Sequence, residues 1–340
     1  MAGIDIFNSN AFGMFNLTSA VNLVPYLPGL IGSFNLFDEN QITTRNAAIE
    51  INNGELSLIQ TSPIGAPLVE DQSEKRDIFY QPTVRIAKGK TIYAEEVQGV
   101  RAFGSTSELQ QYQDIVAKKS MKLVRSVHLT WENMMLGCVQ GVVTDADGSI
   151  IVDWSKVLGS SRPAEIDFDL DNAAPESGAL RKKIAAVQRG VERALSGMWT
   201  TGSYLTGLCG DNFFDDLITH ADVNDTVLAT EQAATLADPL AWRMFNFGGI
   251  QWINYRGTDN SSKVAIDTNK CKFVPREVPG LFDVARSPSE AAPFVNTPGI
   301  PLYSMMVFDK DRQMWVRPEV YSYLLHICTR PSALYSARRT

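Results

Sequence analysis

The hydrophobic pattern is most regular between residues 106 and 141 of this 340-residue chain. Apolar residues recur there at steps of three and four, the spacing that places side chains on one face of an α-helix. This apolar stripe, interrupted by Ser120, consists of Leu109, Tyr112, Val116, Leu123, Val127, Trp131, Met134 and Cys138. It predicts a helix over 106–136, about 45 Å long at roughly 1.5 Å per residue. Ser105 or Thr106 is placed to cap its start.

The first 37 residues are almost uncharged and rich in Phe, Asn, Gly and Leu. A short helix is predicted over 17–24, ended by the prolines that follow it. The segment is interpreted as an arm that packs on its own domain or lies along a neighbouring subunit. In the second case its exposed aromatic residues would become buried. The candidate contact residues are Phe12, Phe15 and Phe34.

Residues 42–98 contain two runs of alternating polar and apolar positions, which predict a long β-hairpin. Asn53-Gly54 is a strong turn signal, and a charged loop is predicted over 70–77. Because a lone hairpin is at best marginally stable in water, this one needs a partner surface. The charged tip provides further candidate contacts, namely Glu74, Lys75, Arg76 and Asp77.

The rest of the chain predicts mixed helix and sheet. A tight hairpin is predicted at Asp147-Gly148, and Gly210-Asp211 is predicted to lead from a strand into a helix. A second helical stripe consists of Leu180, Ile184, Val187, Val191 and Leu195. Residues 247–255 predict one strand. Apolar and aromatic residues over 303–309 and 313–337 predict strands that pack against the long helix.

Candidate catalytic groups are sparse. A lone histidine is far more often structural than catalytic, and the three here are isolated: His128, His220 and His326. The chain has no P-loop, no GxSxG and no HExxH motif. Two acidic clusters are interpreted as solvated charge, with a metal or acid–base site as the alternative. They are Asp167-Asp169-Asp171 and Asp211-Asp215-Asp216. No enzyme, cofactor or metal is therefore predicted.

Composition narrows the class of protein further. The chain is 44% hydrophobic and 20% charged, which is typical of a folded, soluble protein. A net charge of −7 argues against a surface built to grip phosphate backbones. The four scattered cysteines indicate reduced thiols rather than zinc or a disulfide framework. No apolar run is long enough to span a bilayer and no signal peptide is evident, so no membrane partner is expected.

The order of these elements resembles that of the major capsid proteins of tailed bacteriophages, with their HK-ninety-seven-like α+β fold. More narrowly, the chain resembles the lambda-type capsid protein E family. The similarity covers most of residues 40–335. It is carried by Phe103-Gly104-Ser105-Thr106, by MLGCVQG over 135–141, by Phe247-Gly248-Gly249-Ile250 with Tyr255, and by the strands over 312–334.

The resemblance implies a division of the chain into regions. These are an N-terminal arm (1–41), an extended β-hairpin loop (42–98), a P domain (99–165 and 270–340) with a spine helix (106–140), and an inserted A domain (166–269). It implies no catalytic role. It also implies self-assembly, as pentamers and hexamers, into an icosahedral shell in the host cell cytoplasm.

The resemblance further implies partners in the virion. They are the portal, a scaffold and protease, often a decoration protein, and double-stranded DNA contacted non-specifically inside the shell. No scaffold-like segment precedes the arm, so a separate scaffold and protease are expected. The cations opposite the apolar stripe could meet DNA or a neighbour's acidic loop, although solvated charge is the simpler interpretation. They are Lys118, Lys119, Lys122 and Arg125.

Two alternatives stay open at this point. The same fold could form an encapsulin-like nanocompartment that stores cargo rather than DNA. A protein of a different class, a metal-dependent α/β hydrolase, could instead use the acidic clusters.

Overall fold

The computed structural model describes residues 14–22, 29–52, 76–93, 108–172, 175–223, 244–255, 265–312 and 314–340. Its α-helices include α1 (Met14–Asn22), α2 (Leu30–Ser33), α3 (Glu108–Val139), α4 (Trp154–Val157), α5 (Ala179–Leu195) and α6 (Asp211–Thr219). None of the helices in these residues is long and apolar enough to cross a membrane.

Most strands are short. They are β1 (Asp38–Gln41), β2 (Asn46–Asn52), β3 (Arg76–Pro82), β4 (Val84–Gly89), β5 (Ile92–Tyr93), β6 (Val142–Thr144), β7 (Ile150–Asp153), β8 (Ile166–Asp167), β9 (Tyr204–Cys209), β10 (Met244–Phe247), β11 (Ile250–Asn254), β12 (Lys270–Arg276), β13 (Phe282–Arg286), β14 (Tyr303–Phe308), β15 (Trp315–Cys328) and β16 (Ser336–Arg338).

The predicted long helix is confirmed as α3, which runs for 32 residues. The described side chains of its apolar stripe, Val116, Leu123, Val127, Trp131, Met134 and Cys138, are all buried. The side chains of Leu109 and Tyr112, and the expected caps Ser105 and Thr106, lie outside the described residues. The helix continues three residues beyond the predicted end. In its last turn a Cβ on Gly137 would lie 2.8 Å from the carbonyl oxygen of Val142, so the glycine lets β6 pack directly on α3.

The first sheet is built on β15, the strand predicted to pack on the long helix. β13 and β14 pair antiparallel with β15 along one edge, and β4 and β5 pair with it along the other. β1 adds in parallel to β13. The sheet packs on α3, which confirms the predicted contact between the C-terminal strands and the long helix.

The second sheet has the order β10-β11-β9-β12-β16-β8. Its interior contains an aromatic cluster formed by Phe168, Phe213, Trp252 and Phe273. The predicted stripe of α5 is confirmed, because all five of its residues are buried. The predicted passage from strand to helix at Gly210 is also confirmed, since β9 ends at Cys209 and α6 begins at Asp211.

The prediction of one strand over 247–255 is wrong. β10 and β11 form an antiparallel hairpin that turns at Gly248 and Gly249. Both glycines have positive φ, 61° and 79°, a conformation that glycine adopts without steric penalty. The pair therefore reverses the chain where the apolar pattern alone suggests a continuous strand.

Two other predicted hairpins have different outcomes. β6 and β7 pair around Asp147-Gly148 as predicted. β2 pairs with β3 from Asn46 opposite Pro82 to Asn52 opposite Arg76. The predicted turn at Asn53-Gly54 lies outside the described residues. The predicted end of the charged loop at residue 77 is wrong, because β3 already begins at Arg76.

Both sheets take strands from several of the regions expected from the sequence. The sheet of β15 includes β1 from residues 1–41 and β4 and β5 from residues 42–98. β12 and β16, from residues 270–340, lie in the second sheet beside β9 and β8. Pairing in the sheets therefore joins segments that are far apart in the sequence.

The N-terminal helix α1 covers the outer edge of β14. It begins three residues before the predicted helix, and Asn22 is its last residue. Thr18 Oγ1 donates to the carbonyl oxygen of Ser304 (3.1 Å) and accepts from its N–H (3.0 Å). Asn22 Nδ2 also donates to the carbonyl oxygen of Leu302 at 2.9 Å. These side chains occupy the backbone groups of an edge strand, which would otherwise be open to pairing with another chain.

We predict that Thr18→Val lowers the free energy of unfolding by about 1–3 kcal/mol, because it leaves the buried Ser304 backbone groups without partners. The measurement is denaturant unfolding of unassembled subunits. Thr18→Ser keeps the hydroxyl and is the matched control. Equal stability of the Val and Ser variants would contradict this role of α1.

Candidate functional site

A buried carboxylate joins three parts of the chain. Glu132 lies on α3 with only 5% of its surface exposed. The N–H of Ile31 donates to its Oε1 at 2.9 Å, and the N–H of Gly32 donates to its Oε2 at 3.1 Å. These N–H groups belong to the first turn of α2 and have no acceptor within that helix. The carboxylate of α3 thus caps α2, as an N-cap side chain would.

The third contact of this carboxylate comes from the second sheet. The hydroxyl of Tyr255, just after β11, donates to Glu132 Oε1 at 3.3 Å. Gly29 is required beside it, because a Cβ at that position would overlap the carboxyl group. Burial raises the pKa of Glu132, while its three hydrogen bonds act in the opposite direction. Burial, followed by the charge of Glu132, also raises the pKa of Tyr255.

A cavity of about 510 Å³ lies beside this carboxylate. Its wall includes Trp131 and His128 of α3 together with Arg286 and His326 of the first sheet. Arg286 is 7% exposed, donates from Nη2 to Glu39 Oε1 at 2.6 Å, and lies 5.2 Å from the Trp131 ring centroid. It therefore ties β1 and β13 to α3.

The histidines are all buried. Burial, and secondarily the charge of Arg286, lowers the pKa of His326 to about 3. Burial alone lowers the pKa of His128. His220 follows α6 and accepts a hydrogen bond at Nδ1 from the N–H of Asp222 (3.2 Å). His128 and His326 share the wall of the cavity, whereas His220 lies apart from them after α6.

One residue of each acidic cluster forms an ion pair with an arginine near the C-terminus. Asp167 pairs with Arg338 at 3.1 Å, and Asp216 pairs with Arg339. Both pairs are partly exposed, so these two residues are surface charges that also have an arginine partner. Asp169, Asp171 and Asp215 are exposed, whereas the carboxylate of Asp211 accepts from Asn254 Nδ2 at 2.9 Å. The described residues include no group of three or more His, Cys, Asp or Glu side chains placed to hold a metal ion.

The outer face of the β2–β3 ribbon exposes two large apolar side chains. Ala47 and Ile49 point inward and are buried, whereas Ile78 and Tyr80 point outward and are 53% and 68% exposed. Ala48 lies opposite Tyr80 in the register and shares this outer face. Ile78 and Tyr80 are therefore available to a partner protein, with polar residues of β2 such as Asn46 beside them on the same face.

The predicted contact residues differ in their surroundings. Phe15 is 61% exposed, with its ring 5.2 Å from that of Phe294. Phe34 is half-buried within its own subunit, where the Arg276 guanidinium lies 4.2 Å from its ring centroid. Phe12, Glu74 and Lys75, and the side chains of Arg76 and Asp77, lie outside the described residues.

The solvent face of α3 is basic. Lys118, Lys122 and Arg125 are exposed and Lys119 is half-buried. Two apolar side chains lie on the same face, Met121 (40% exposed) and Leu129 (47% exposed). Sequence reasoning located these cations but missed Glu132, Tyr255 and Thr18. Glu132 could have been identified from its position, because it is a carboxylate within an otherwise largely apolar stretch of α3.

Two comparisons with known protein sequences match nearly the whole chain. The model of the family described as phage major capsid protein E matches residues 13–339. The major capsid protein of Salmonella phage Felix O1 is 26% identical over 364 residues, covering 96% of each chain.

Solved structures of similar fold are also capsid proteins. A prophage capsid protein from E. coli CFT073 has a TM-score of 0.59 at 10% identity, covering 96% of this chain and 99% of its own. The capsid protein of cyanophage A-1(L) has a TM-score of 0.51 at 11% identity, covering 93% and 94%. The chain therefore has an α+β fold that is similar to the fold of these capsid proteins.

We predict that Glu132→Gln lowers the free energy of unfolding by about 1–3 kcal/mol. The amide keeps one acceptor oxygen, so one N–H of α2 loses its partner. Denaturant unfolding of unassembled subunits measures the change. Glu192→Gln on the exposed face of α5 is the control, with an expected change within about 0.5 kcal/mol. Equal effects of the two substitutions would rule out the capping role.

We also predict that acid destabilises the subunit through His326. Because its pKa is lowered to about 3, the folded state keeps this histidine neutral while the unfolded state binds a proton below its ordinary value. The contribution of neutral His326 to the free energy of unfolding is fully present above about pH 6.5. It decreases by about 1.4 kcal/mol per pH unit as the pH falls towards 3.

The measurement compares unfolding of wild type and His326→Gln between pH 7 and 4. The difference between the two proteins separates His326 from other titrating groups, such as Glu132. We expect the variant to have the shallower dependence on pH. Parallel curves would show that His326 contributes nothing.

Proposed function

Because the chain belongs to the phage major capsid protein E family, we propose that its copies assemble as pentamers and hexamers into the icosahedral head shell of a tailed phage. It is a phage major capsid protein and part of the virion. In this proposal the shell encloses packaged double-stranded DNA. The observation that carries the assignment is the match of the family over residues 13–339.

The finer architecture that we propose is the HK-ninety-seven-like one. Residues 1–41 form the arm, 42–98 the extended loop and 106–140 the spine helix. Residues 99–165 and 270–340 form the P domain, and 166–269 the A domain. In this proposal β12 and β16 of the P domain join it to the sheet of the A domain, which is supported by their pairing with β9 and β8.

Contacts between subunits carry the function in this proposal. The outer face of the β2–β3 ribbon, with Ile78 and Tyr80, is the described surface best suited to a neighbour. Aromatic residues in buried interface centres contribute much of the binding energy. We also propose Phe12, Phe15, Phe34 and residues 74–77 as contacts with neighbouring subunits. Phe15 is 61% exposed, whereas Phe34 is half-buried.

The basic face of α3 is the second surface that we propose for a neighbour. Cations alone would suit DNA as well as an acidic protein segment. Met121 and Leu129, however, place apolar area among those cations. Phosphate backbones offer no apolar partner for it, so a protein segment with acidic and apolar residues fits this face better. Non-specific DNA contact inside the shell stays part of the proposal without assigned residues.

Portal, scaffold and protease, and a decoration protein are the other partners that we propose, from the family resemblance. The family is a structural one, and we propose that the chain is not an enzyme. The comparisons do not favour the encapsulin-like compartment or the metal-dependent hydrolase.

The test of the function is electron microscopy of the expressed chain and of lysates from phage-infected cells. We expect regular shells, or rings of five and six subunits. A purified chain that stays monomeric at high concentration and has metal-dependent hydrolase activity would overturn the proposal.

For the ribbon, we predict that the double variant Ile78→Ser and Tyr80→Ser folds but forms no closed shells, because the contact loses its apolar anchors. Tyr80→Phe keeps the ring and is the control that should still form shells. Circular dichroism checks the fold, and particle counts in electron micrographs measure assembly. Normal shells from the double variant would exclude this face as a contact.

A further inference from the structure

Two buried thiols face each other across the second sheet. Cys209 is the last residue of β9, and Cys271 lies directly opposite it on β12. Both are fully buried. Their sulfur atoms are 3.4 Å apart. The other two cysteines, Cys138 and Cys328, are equally buried.

The register of the strands favours a bond between these sulfurs. The N–H of Gly210 donates to the carbonyl oxygen of Lys270 at 2.9 Å, one step outward on both strands. Because hydrogen-bonded and non-hydrogen-bonded pairs alternate along antiparallel strands, Cys209 and Cys271 form a non-hydrogen-bonded pair. In such pairs the Cα atoms are about 4.5 Å apart and the side chains are closest.

The two sulfur atoms are already close to bonding distance. A disulfide needs its sulfurs at about 2.0 Å, so a small rotation of both side chains is enough. Gly207, two residues before Cys209 on the same face, has no side chain, so the Trp252 ring and the sulfur of Cys271 pack against its backbone. A Cβ at Gly207 would lie 3.3 Å from the sulfur of Cys271.

We propose that Cys209 and Cys271 are a modification site, at which a peroxide-class oxidant forms a disulfide between β9 and β12. Hydrogen peroxide is close to water in size and can reach a buried thiol during small openings of the sheet. In the host cytoplasm the pair stays reduced, and it closes when the protein meets an oxidising medium.

The reaction balances with one peroxide molecule. One thiol, as its thiolate, attacks a peroxide oxygen and becomes a sulfenic acid, and the first water leaves after proton transfer. The second sulfur attacks the sulfenic sulfur, the S–S bond forms, and the hydroxyl leaves as the second water. Each thiol gives up one hydrogen, and the peroxide is reduced to two water molecules.

Burial and the neighbouring Cys271 thiol raise the pKa of Cys209 well above its ordinary value. The thiolate is therefore scarce in the folded sheet, and the reaction is slow. Slow closure suits a bond that forms once and persists. The bond would close the loop between residues 209 and 271 and lower the entropy of the unfolded chain.

The test uses the full chain, as unassembled subunits and as assembled particles, treated with hydrogen peroxide. The protein is then unfolded in iodoacetamide and mapped by mass spectrometry without reduction. We expect alkylated Cys138 and Cys328, with Cys209 and Cys271 in one linked peptide about 2 Da lighter than the two free peptides. Dithiothreitol should restore four alkylated thiols.

Two variants sharpen the result. Cys271→Ala should abolish the link, whereas Cys138→Ala, equally buried, should keep it. The thermal midpoint of peroxide-treated wild type and Cys138→Ala should rise by roughly 4–8 °C and fall back with dithiothreitol. Cys271→Ala should show no such rise.

Four alkylated thiols after peroxide, a link that includes Cys138 or Cys328, or oxidation that ends at a sulfinic acid would overturn the proposal. A linked chain with an unchanged midpoint would overturn its stabilising role. Wild-type mapping decides the site even if Cys271→Ala does not fold. Because subunits and particles are tested separately, failure of the disulfide is distinguishable from failure of shell assembly.

Discussion

The architecture depends on the carboxylate of Glu132. A charge in a protein interior is strongly unfavourable unless hydrogen bonds replace the water that it loses. Here two backbone N–H groups of α2 and the hydroxyl of Tyr255 replace that water. Since the three donors come from the N-terminal segment and the second sheet, the charge keeps all its hydrogen bonds only when both of these parts contact α3. A misfolded subunit that lacks one of these donors would bury a carboxylate with an unreplaced hydrogen bond, which is unfavourable.

The length of α3 follows from the regions that it connects. Near its start, Val116 packs with Ile92 and Val316 in a small cluster beside the end of β15. Further along, Leu123 to Val139 belong to the main core, which includes residues of both sheets. The stretch from Val116 to Val139 is about twice as long as an average helix of roughly 11–12 residues. The length of α3 therefore allows one helix to contribute to both clusters while it packs on β15.

Local patterns predicted the helices well and the pairing of strands less well. The stripes of α3 and α5 repeat every three to four residues, so their buried faces could be identified without any knowledge of the fold. The turn at Gly248-Gly249 was missed because a two-residue reversal within an apolar run leaves the alternation almost unchanged. The start of β3 at Arg76 was missed because a strand forms wherever its partner β2 provides hydrogen bonds, even under charged residues.

The candidate surfaces could be predicted only in part for a related reason. The cations of α3 are visible in the sequence, whereas the role of Glu132 depends on residues about a hundred positions away.

The division between inside and outside indicates where function resides in this chain. Inside, the buried charged groups have structural partners, as Glu132 and Arg286 do. Outside, the ribbon and the basic face of α3 expose apolar side chains that the subunit does not cover. A chain with a net charge of −7 that gathers four cations and two apolar residues on one helix face has a local surface unlike its average. Such a face offers both positive charge and apolar area to a protein segment, which is the contact that we propose for it.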